Sequence, residues 1–407
     1  MGVMVKEIIV LFDMDNVLLT PGGYRMAFRD ALRYRLSKGD VADRIPLESL
    51  PEIFESMGVT NEWDMMAVTL GVLVDDLLGH KDELPSLNSL DDFVDWLASL
   101  PADHFMINYR QKIREVVKHA APGKPVSLSL YHACQEDSTN SLFPNLKRLE
   151  NFASSLLAHT PDVYQSGLTR MFQNLILGSK EFEAAYHLPA EVQCDSYLEK
   201  YDHSNLSQEN RDWVLRRASS GQIRPVLFTA RPSYPPRGVE LPERTLYSPE
   251  AEAGARLVGL DGLPLIGIGS MEYMAGKAGK SLNELLKPNV FHAVAAVFAS
   301  VYNDDLKALH AAYQWCFAGQ VGGEMDVEWD RPLEIHVFED SPGGVRAAIG
   351  AVELFRQRGV DCELVIWGVA DHPDKLSSLE KLGGQVFSCL DAALLAFRKM
   401  VSKNGND

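Results

Sequence analysis

Short apolar runs of strand length recur along the chain, once near the N-terminus and several times in its second half. Each run is bounded by polar or turn-forming residues, which is typical of buried parallel strands. The runs are Lys6–Asp13, Pro225–Thr229, Leu263–Ile268, Leu333–Phe338, Cys362–Trp367 and a weaker one at Gln385–Cys389. Helical patterns at Val290–Tyr302 and Gly344–Arg358 separate the later runs. This alternation predicts an α/β fold with a Rossmann-like, doubly wound parallel sheet.

Residues 21–220 follow a different pattern, in which apolar positions recur at the three-to-four spacing of an amphipathic helix. The helical stretches are Glu62–Leu78, Asp91–Leu100, Asp103–His119, Pro161–Leu177 and Ser207–Ser219. We therefore expect a mostly α-helical cap domain at 21–220, inserted into an α/β core domain that is formed by residues 1–20 and 221–407.

Composition narrows the class of protein. The chain has 407 residues, of which 46% are hydrophobic and 23% charged, so it has ample material for a large core. Its net charge is 39 − 56 = −17. An acidic surface repels a phosphate backbone, so we expect no nucleic-acid partner, although a local basic pocket could hold a small anion.

Neither a membrane segment nor a disulfide framework is expected. No apolar run approaches the roughly 20 residues that span a bilayer, so we expect a cytoplasmic protein without a membrane partner. The five cysteines are widely separated and include no Cys-x-x-Cys pair, which argues against disulfides and a zinc site.

Reactive side chains follow three of the predicted strands. Asp13 ends the first and Asp15 lies two residues further on, Thr229 ends the second, and Glu339 and Asp340 follow the fourth. Ligands of open parallel sheets bind at the carboxyl ends of the strands, so these residues should converge there. Because their carboxylates would repel each other, we expect a hard divalent cation such as Mg²⁺ between them.

These segments resemble the motifs of the haloacid dehalogenase superfamily, in its phosphatase-like branch with a helical cap inserted after the first motif. Phe12–Leu18 resembles the first motif, with Asn16 where glycine is commoner, Phe228–Thr229 the second, and Val337–Gly344 the fourth. The resemblance covers residues 5–20 and 221–395; the cap is similar only in position and helical character.

The third motif of the family is a lysine, often followed by proline ahead of a helix. Lys287 with Pro288 matches best, while Lys277 and Lys280 remain alternatives in a glycine-rich setting. Lys287 precedes Asp340 by 53 positions, more than is usual in the family, so we expect an extra excursion over residues 303–331.

The resemblance implies a Mg²⁺-dependent phosphohydrolase acting on a small phosphorylated molecule. Asp13 would be the nucleophile and Asp15 the general acid and base. The Thr229 hydroxyl, the Ala230 amide and Lys287 would hold the phosphoryl oxygens.

The metal ligands implied by the resemblance are Asp13, the Asp15 carbonyl and Asp340, with Glu339 bound directly or through water. Two further residues have open roles. Arg231 is either a solvated loop charge or a phosphate clamp. Asn61 either caps a helix or contacts substrate.

Other activities remain compatible with these residues. The same fold could pass the aspartyl-phosphate to another hydroxyl as a phosphomutase or phosphotransferase, or act as a catalytically idle binding protein through its cap. Dehalogenation is less compatible with these residues, because it needs no Mg²⁺ and would give the acidic pair Glu339 and Asp340 no metal to bind.

Overall fold

The structure is a computed structural model that describes residues 6–37, 42–80, 85–100, 107–121, 124–139, 141–318, 329 and 331–404. The chain divides into two compact units, one formed by Met1–Pro21 with Asp202–Asp407 and the other by Gly22–Tyr201. No helix within the described ranges is both long and apolar enough to cross a bilayer.

The unit Gly22–Tyr201 is helical and is organised around one buried helix, α3. Its helices are α1 (Gly23–Arg35), α2 (Leu50–Glu55), α3 (Glu62–Leu78), α4 (Leu90–Ala98), α5 (Tyr109–Val117), α6 (Val126–Glu136), α7 (Glu150–Leu157), α8 (Gly167–Leu177), α9 (Ser179–Tyr186) and α10 (Tyr197–Tyr201). α3 has the bounds expected from the sequence, and most of its side chains are buried because helices pack on several of its faces. Part of the predicted helix Asp103–His119 lies outside the described residues.

The other unit is built on parallel strands. The strands of the chain are β1 (Glu7–Phe12), β2 (Leu19–Thr20), β3 (His203–Ser204), β4 (Arg224–Phe228), β5 (Leu265–Ile266), β6 (Leu333–Glu339), β7 (Cys362–Val369) and β8 (Gln385–Phe387). Six of them form one parallel sheet in the order β5-β4-β1-β6-β7-β8, and β2 pairs with β3 in an antiparallel ribbon. The predicted α/β class with a Rossmann-like parallel sheet is confirmed.

Helices cover both faces of this sheet. They are α11 (Gln208–Ser219), α12 (Glu250–Val258), α13 (Ile268–Ala278), α14 (Val290–Tyr302), α15 (Asp305–Tyr313), α16 (Pro342–Gln357), α17 (Pro373–Glu380) and α18 (Leu390–Asn404). Successive β1 residues point to opposite faces: Ile9 packs in the core with α13–α17, and Val10 packs in the core with α11, α12 and α18. Of the excursion expected over residues 303–331, the described part contains α15 and one wide helical turn, Gln314–Ala318. Residues 319–328 and 330 of this excursion lie outside the described residues.

The second domain boundary lies earlier than the expected 220/221. The chain returns to the α/β unit at Asp202, and α11 belongs to that unit. The physical reason is packing, since Trp213 and Val214 of α11 share a core cluster with Val10 of β1. Helical periodicity identifies the apolar face of α11 but not the core that the face joins.

A buried polar network crosses the middle of the sheet. Glu334 accepts hydrogen bonds from His336 Nε2 at 2.9 Å and from Lys6 Nζ at 2.6 Å, and the Trp367 indole donates to His336 Nδ1 at 3.0 Å. The hydrogen bond from His336, reinforced by that from Lys6, lowers the pKa of Glu334 to about 2 even though burial opposes the shift.

This network predicts an acid-sensitive fold. A carboxyl group whose pKa falls from 4.5 to about 2 on folding contributes stability above pH 4.5 and loses it as the pH falls through 2. We expect Glu334→Gln to reduce the loss of unfolding free energy between pH 5 and pH 2 by about 2–3 kcal/mol, measured by denaturant titration.

Glu363→Gln is the matched control, because Glu363 also contacts Lys6 but has a side chain that is 59% exposed. Its pH dependence should differ from that of the wild type by less than about 1 kcal/mol. Equal pH dependence in Glu334→Gln and the wild type would contradict the prediction.

Candidate active site

The carboxyl ends of β4, β1 and β6 lie side by side, because β1 is hydrogen-bonded to both neighbours in parallel register. Asp13 follows β1 and is anchored by its backbone N–H, which donates to Phe338 O at 3.0 Å. Thr229 follows β4, and Glu339 is the last residue of β6. All three side chains are buried, so polar groups from distant parts of the sequence converge at one edge of the sheet.

Lys287 lies at the centre of this convergence. Its ammonium Nζ is 2.7 Å from Asp13 Oδ1 and 2.7 Å from Glu339 Oε1, and it also lies 4.7 Å from the centroid of the Phe228 ring. The Lys287 side chain is only 9% exposed. Two carboxylates and an aromatic ring thus enclose one buried cation.

The other two candidate lysines have different surroundings. Lys277 lies over the Tyr273 ring at 5.7 Å, and Lys280 pairs with Glu284 at 3.2 Å. Of the three, Lys287 is the lysine that the structure brings to Asp13.

The start of α14 and a neutral histidine hold Lys287 in place. The Asn289 side chain caps α14 by accepting a hydrogen bond from Phe291 N at 2.9 Å. His292 Nδ1 accepts from the Lys287 backbone N–H at 3.2 Å, and His292 Nε2 lies 3.1 Å from Ile266 O. Burial lowers the pKa of His292 to about 3, so the ring is neutral and carries its proton on Nε2. No sequence motif marked His292.

The charges of Asp13, Glu339 and Lys287 depend on one another because all three side chains are buried together. Burial, together with the nearby Glu339 carboxylate, raises the pKa of Asp13 well above its usual value, although Lys287 opposes the shift. Burial alone would lower the pKa of Lys287, but the Asp13 and Glu339 carboxylates outweigh it and raise that pKa. These carboxylates therefore favour the charged form of Lys287, and a further cation would favour the ionised form of Asp13.

Three acidic side chains could hold such a cation. Oxygen atoms of Asp13, Glu339 and Asp340 all lie within 4.8 Å of one another, and all three residues are buried. Carboxylate oxygens are the ligands that Mg²⁺ prefers, so the chemistry of this donor set fits the expected ion. The side chain of Asp15, the fourth acidic residue expected here, does not join them.

Asp340 has two donors that orient its carboxylate. Asn16 Nδ2 donates to Asp340 Oδ2 at 3.1 Å, and Lys375 Nζ donates to the same oxygen at 2.5 Å. Asn16 has a φ of 60°, a left-handed conformation that asparagine tolerates better than most residues. No motif in the sequence marks Lys375, because nothing distinguishes it from other charged residues of a short helix.

Glu339 occupies a space that only glycine leaves open. Its Oε2 accepts from Ser341 N at 3.0 Å and from Ser341 Oγ at 2.9 Å. A Cβ atom at Gly344 would lie 1.6 Å from Glu339 Oε1, which is far inside any allowed contact. The absence of a side chain at Gly344 therefore lets Glu339 reach Lys287.

Arg231 is not a solvated loop charge, because its guanidinium contacts the carboxylates of Asp15 and Asp202. Its Nε lies 2.9 Å from Asp15 Oδ1 and 3.0 Å from Asp15 Oδ2, and its Nη2 donates to Asp15 Oδ1 at 2.6 Å and to Asp202 Oδ2 at 2.8 Å. The Arg231 side chain is 1% exposed. The interpretation of Arg231 as a solvated charge is therefore wrong, because this guanidinium is buried between two carboxylates.

Three other candidate residues are Thr229, Ala230 and Asn61. Thr229 is buried, and its hydroxyl oxygen accepts from Arg231 N at 3.1 Å, while Ala230 is exposed at the same turn. Asn61 lies in the helical unit, where its side chain caps α3 by accepting from Trp63 N at 3.0 Å. Helix capping therefore accounts for Asn61 within its own unit.

Comparisons with known proteins give information about the fold but none about the activity. No family model matches the chain, and no curated protein matches it. A crystal structure of a Northeast Structural Genomics Consortium target is similar, with a TM-score of 0.60, 16% sequence identity, and coverage of 98% of this chain and 100% of that chain. At this identity the similarity shows that the two chains share a fold.

Proposed function

We propose that this protein is a Mg²⁺-dependent phosphohydrolase of the haloacid dehalogenase type, which cleaves a small phosphate monoester through an aspartyl-phosphate on Asp13. The observation that carries the proposal is the buried Asp13 at the end of the central strand, in contact with Lys287 and close to two further acidic residues. A carboxylate that must be ionised in a buried site needs fixed positive charge around it.

In the first half of the reaction, an Asp13 carboxylate oxygen forms a bond to phosphorus while the bond from phosphorus to the ester oxygen breaks. Asp15 donates a proton to the departing oxygen, which leaves as an alcohol. In the second half, Asp15 takes a proton from water as that water attacks phosphorus, and inorganic phosphate leaves with Asp13 restored.

The residues around Asp13 stabilise the charge of the transferred group. Lys287 contributes a fixed cation, and the Thr229 hydroxyl and the Ala230 backbone N–H are donors for phosphoryl oxygens at the same edge. Asp13, Asp340 and Glu339 would hold Mg²⁺, which would supply additional positive charge beside the phosphoryl group. Such fixed charge is the main catalytic contribution in phosphoryl transfer.

A panel of small phosphate monoesters, assayed with Mg²⁺ and with EDTA, tests the proposal directly. Mg²⁺-dependent release of inorganic phosphate supports hydrolysis. Transfer to another hydroxyl without free phosphate would instead indicate a mutase or phosphotransferase. Failure to turn over any ester or to bind BeF₃⁻ would favour a binding protein.

The first prediction from this mechanism concerns the nucleophile. Asp13→Asn preserves the shape of the side chain but replaces the carboxylate with a poor nucleophile, so turnover should fall by at least roughly 10³-fold. Wild-type protein with Mg²⁺ and BeF₃⁻ should form a beryllofluoride adduct detectable by ¹⁹F NMR, and Asp13→Asn should not. An Asp13→Asn variant with most of its activity would exclude the aspartyl-phosphate.

The second prediction separates the three candidate lysines. Lys287→Ala removes the cation that contacts Asp13 and should lower kcat/KM by roughly 10²–10³-fold, since several kcal/mol of transition-state stabilisation are lost. Lys277→Ala and Lys280→Ala are matched controls and should change kcat/KM by less than about threefold. Loss of activity in Lys280→Ala but not in Lys287→Ala would overturn the assignment.

The third prediction concerns the metal. Asp340→Ala should weaken Mn²⁺ binding by at least roughly tenfold, and Glu339→Gln should weaken it less. Electron paramagnetic resonance of free Mn²⁺ measures this without any substrate. Asp374→Ala is the control, because its side chain is 94% exposed and should not alter binding. Unchanged affinity in Asp340→Ala would place the metal elsewhere.

A further inference from the structure

The guanidinium of Arg231 joins two carboxylates from opposite ends of the helical insertion. Asp15 lies just before the chain leaves the α/β unit, and Asp202 is the first residue after the chain returns. Arg231 contacts both through four donor–acceptor distances of 2.6–3.0 Å. The side chains of Arg231 and Asp202 are almost completely buried, whereas that of Asp15 is 33% exposed.

We propose that Arg231 and Asp202 are positioning residues that hold the carboxyl group of Asp15 in its catalytic orientation, an inference that rests on the proposed function. A planar guanidinium that meets both oxygens of a carboxylate fixes the plane of that group as well as its distance. Proton transfer to a departing oxygen requires such control, because a displacement of about 1 Å can cost roughly 10² in rate.

The contacts of Arg231 separate this role from that of a phosphate clamp. Its Nε and Nη2 groups are directed at protein carboxylates, and its side chain is 1% exposed. The phosphate-clamping charge at this site belongs instead to Lys287, which contacts the proposed nucleophile directly.

Asp202 fixes the guanidinium itself. If Asp15 were its only partner, the guanidinium of Arg231 could change its orientation together with the Asp15 side chain. The additional hydrogen bond from Nη2 to Asp202 restricts that movement. Asp202 also lies beside the buried cation, so Arg231 keeps a carboxyl partner while Asp15 carries the proton that it donates. Asp202 therefore acts on the reaction through Arg231 and then through Asp15.

The leaving group of the substrate provides a selective test. An alkyl phosphate needs a proton on its departing oxygen, whereas 4-nitrophenolate is stable and departs without one. We expect Arg231→Lys to lower kcat/KM for an alkyl phosphate such as glycerol 3-phosphate by roughly 10²-fold and for 4-nitrophenyl phosphate by less than about threefold. Asp202→Asn should shift the ratio of the two values in the same direction, by roughly tenfold.

Arg237→Lys is the matched control. Arg237 belongs to the same loop after β4 and makes a similar two-point contact with Asp305, at 2.9 and 3.0 Å, but its side chain is 58% exposed. Its ratio of kcat/KM values should equal that of the wild type. Circular dichroism checks the folding of every variant, and Asp202→Asn provides the test if Arg231→Lys does not fold.

Binding of BeF₃⁻ with Mg²⁺ distinguishes the possible failures, because it depends on Asp13 and not on proton transfer. It should be unchanged in Arg231→Lys and Asp202→Asn. Weakened BeF₃⁻ binding, or an equal loss of kcat/KM for both substrates, would overturn the positioning role. A wild-type protein that neither binds BeF₃⁻ nor releases phosphate would overturn the proposed function, and with it this inference.

Discussion

The contact of the Lys287 ammonium with two buried carboxylates is the interaction on which the rest of the site depends. Asp13 and Glu339 are both buried, and a cation between them offsets the mutual repulsion of two carboxylates and the free-energy cost of burying charge. Lys287 lies 274 positions from Asp13 and 52 from Glu339 in the sequence. The contact therefore requires the parallel order of β4, β1 and β6, and it requires α14 to begin beside their carboxyl ends.

Backbone geometry decides how closely the acidic groups can approach. Gly344 leaves open the volume that Glu339 occupies, so glycine at this position has a steric reason. Asn16 adopts the left-handed backbone and uses its side chain to contact Asp340. An asparagine at this position thus combines a left-handed backbone with a hydrogen bond to an expected metal ligand.

The contacts of Arg231 with Asp15 and Asp202 show that the two segments flanking the helical insertion also place polar side chains at this edge of the sheet. The antiparallel pairing of β2 with β3 brings the departing and returning segments together. Asp202, at the return point, then reaches the arginine that contacts Asp15. A residue expected in the cap by its position in the sequence is therefore part of the α/β unit.

The sequence by itself determined the parallel α/β class, the strands that carry reactive ends, and the helical character of the insertion. These features follow from local periodicity and from the rule that parallel strands present their carboxyl ends at one edge. Bounds such as those of α3 and α14 were readable because apolar residues and caps define them locally.

Only the tertiary structure decided which lysine meets Asp13, that Arg231 is buried, and that α11 packs on the sheet. It also revealed His292, Lys375 and Asp202, none of which belongs to a recognisable motif. The physical reason is that these properties depend on contacts between residues far apart in the chain, whereas periodicity and spacing report only on neighbours.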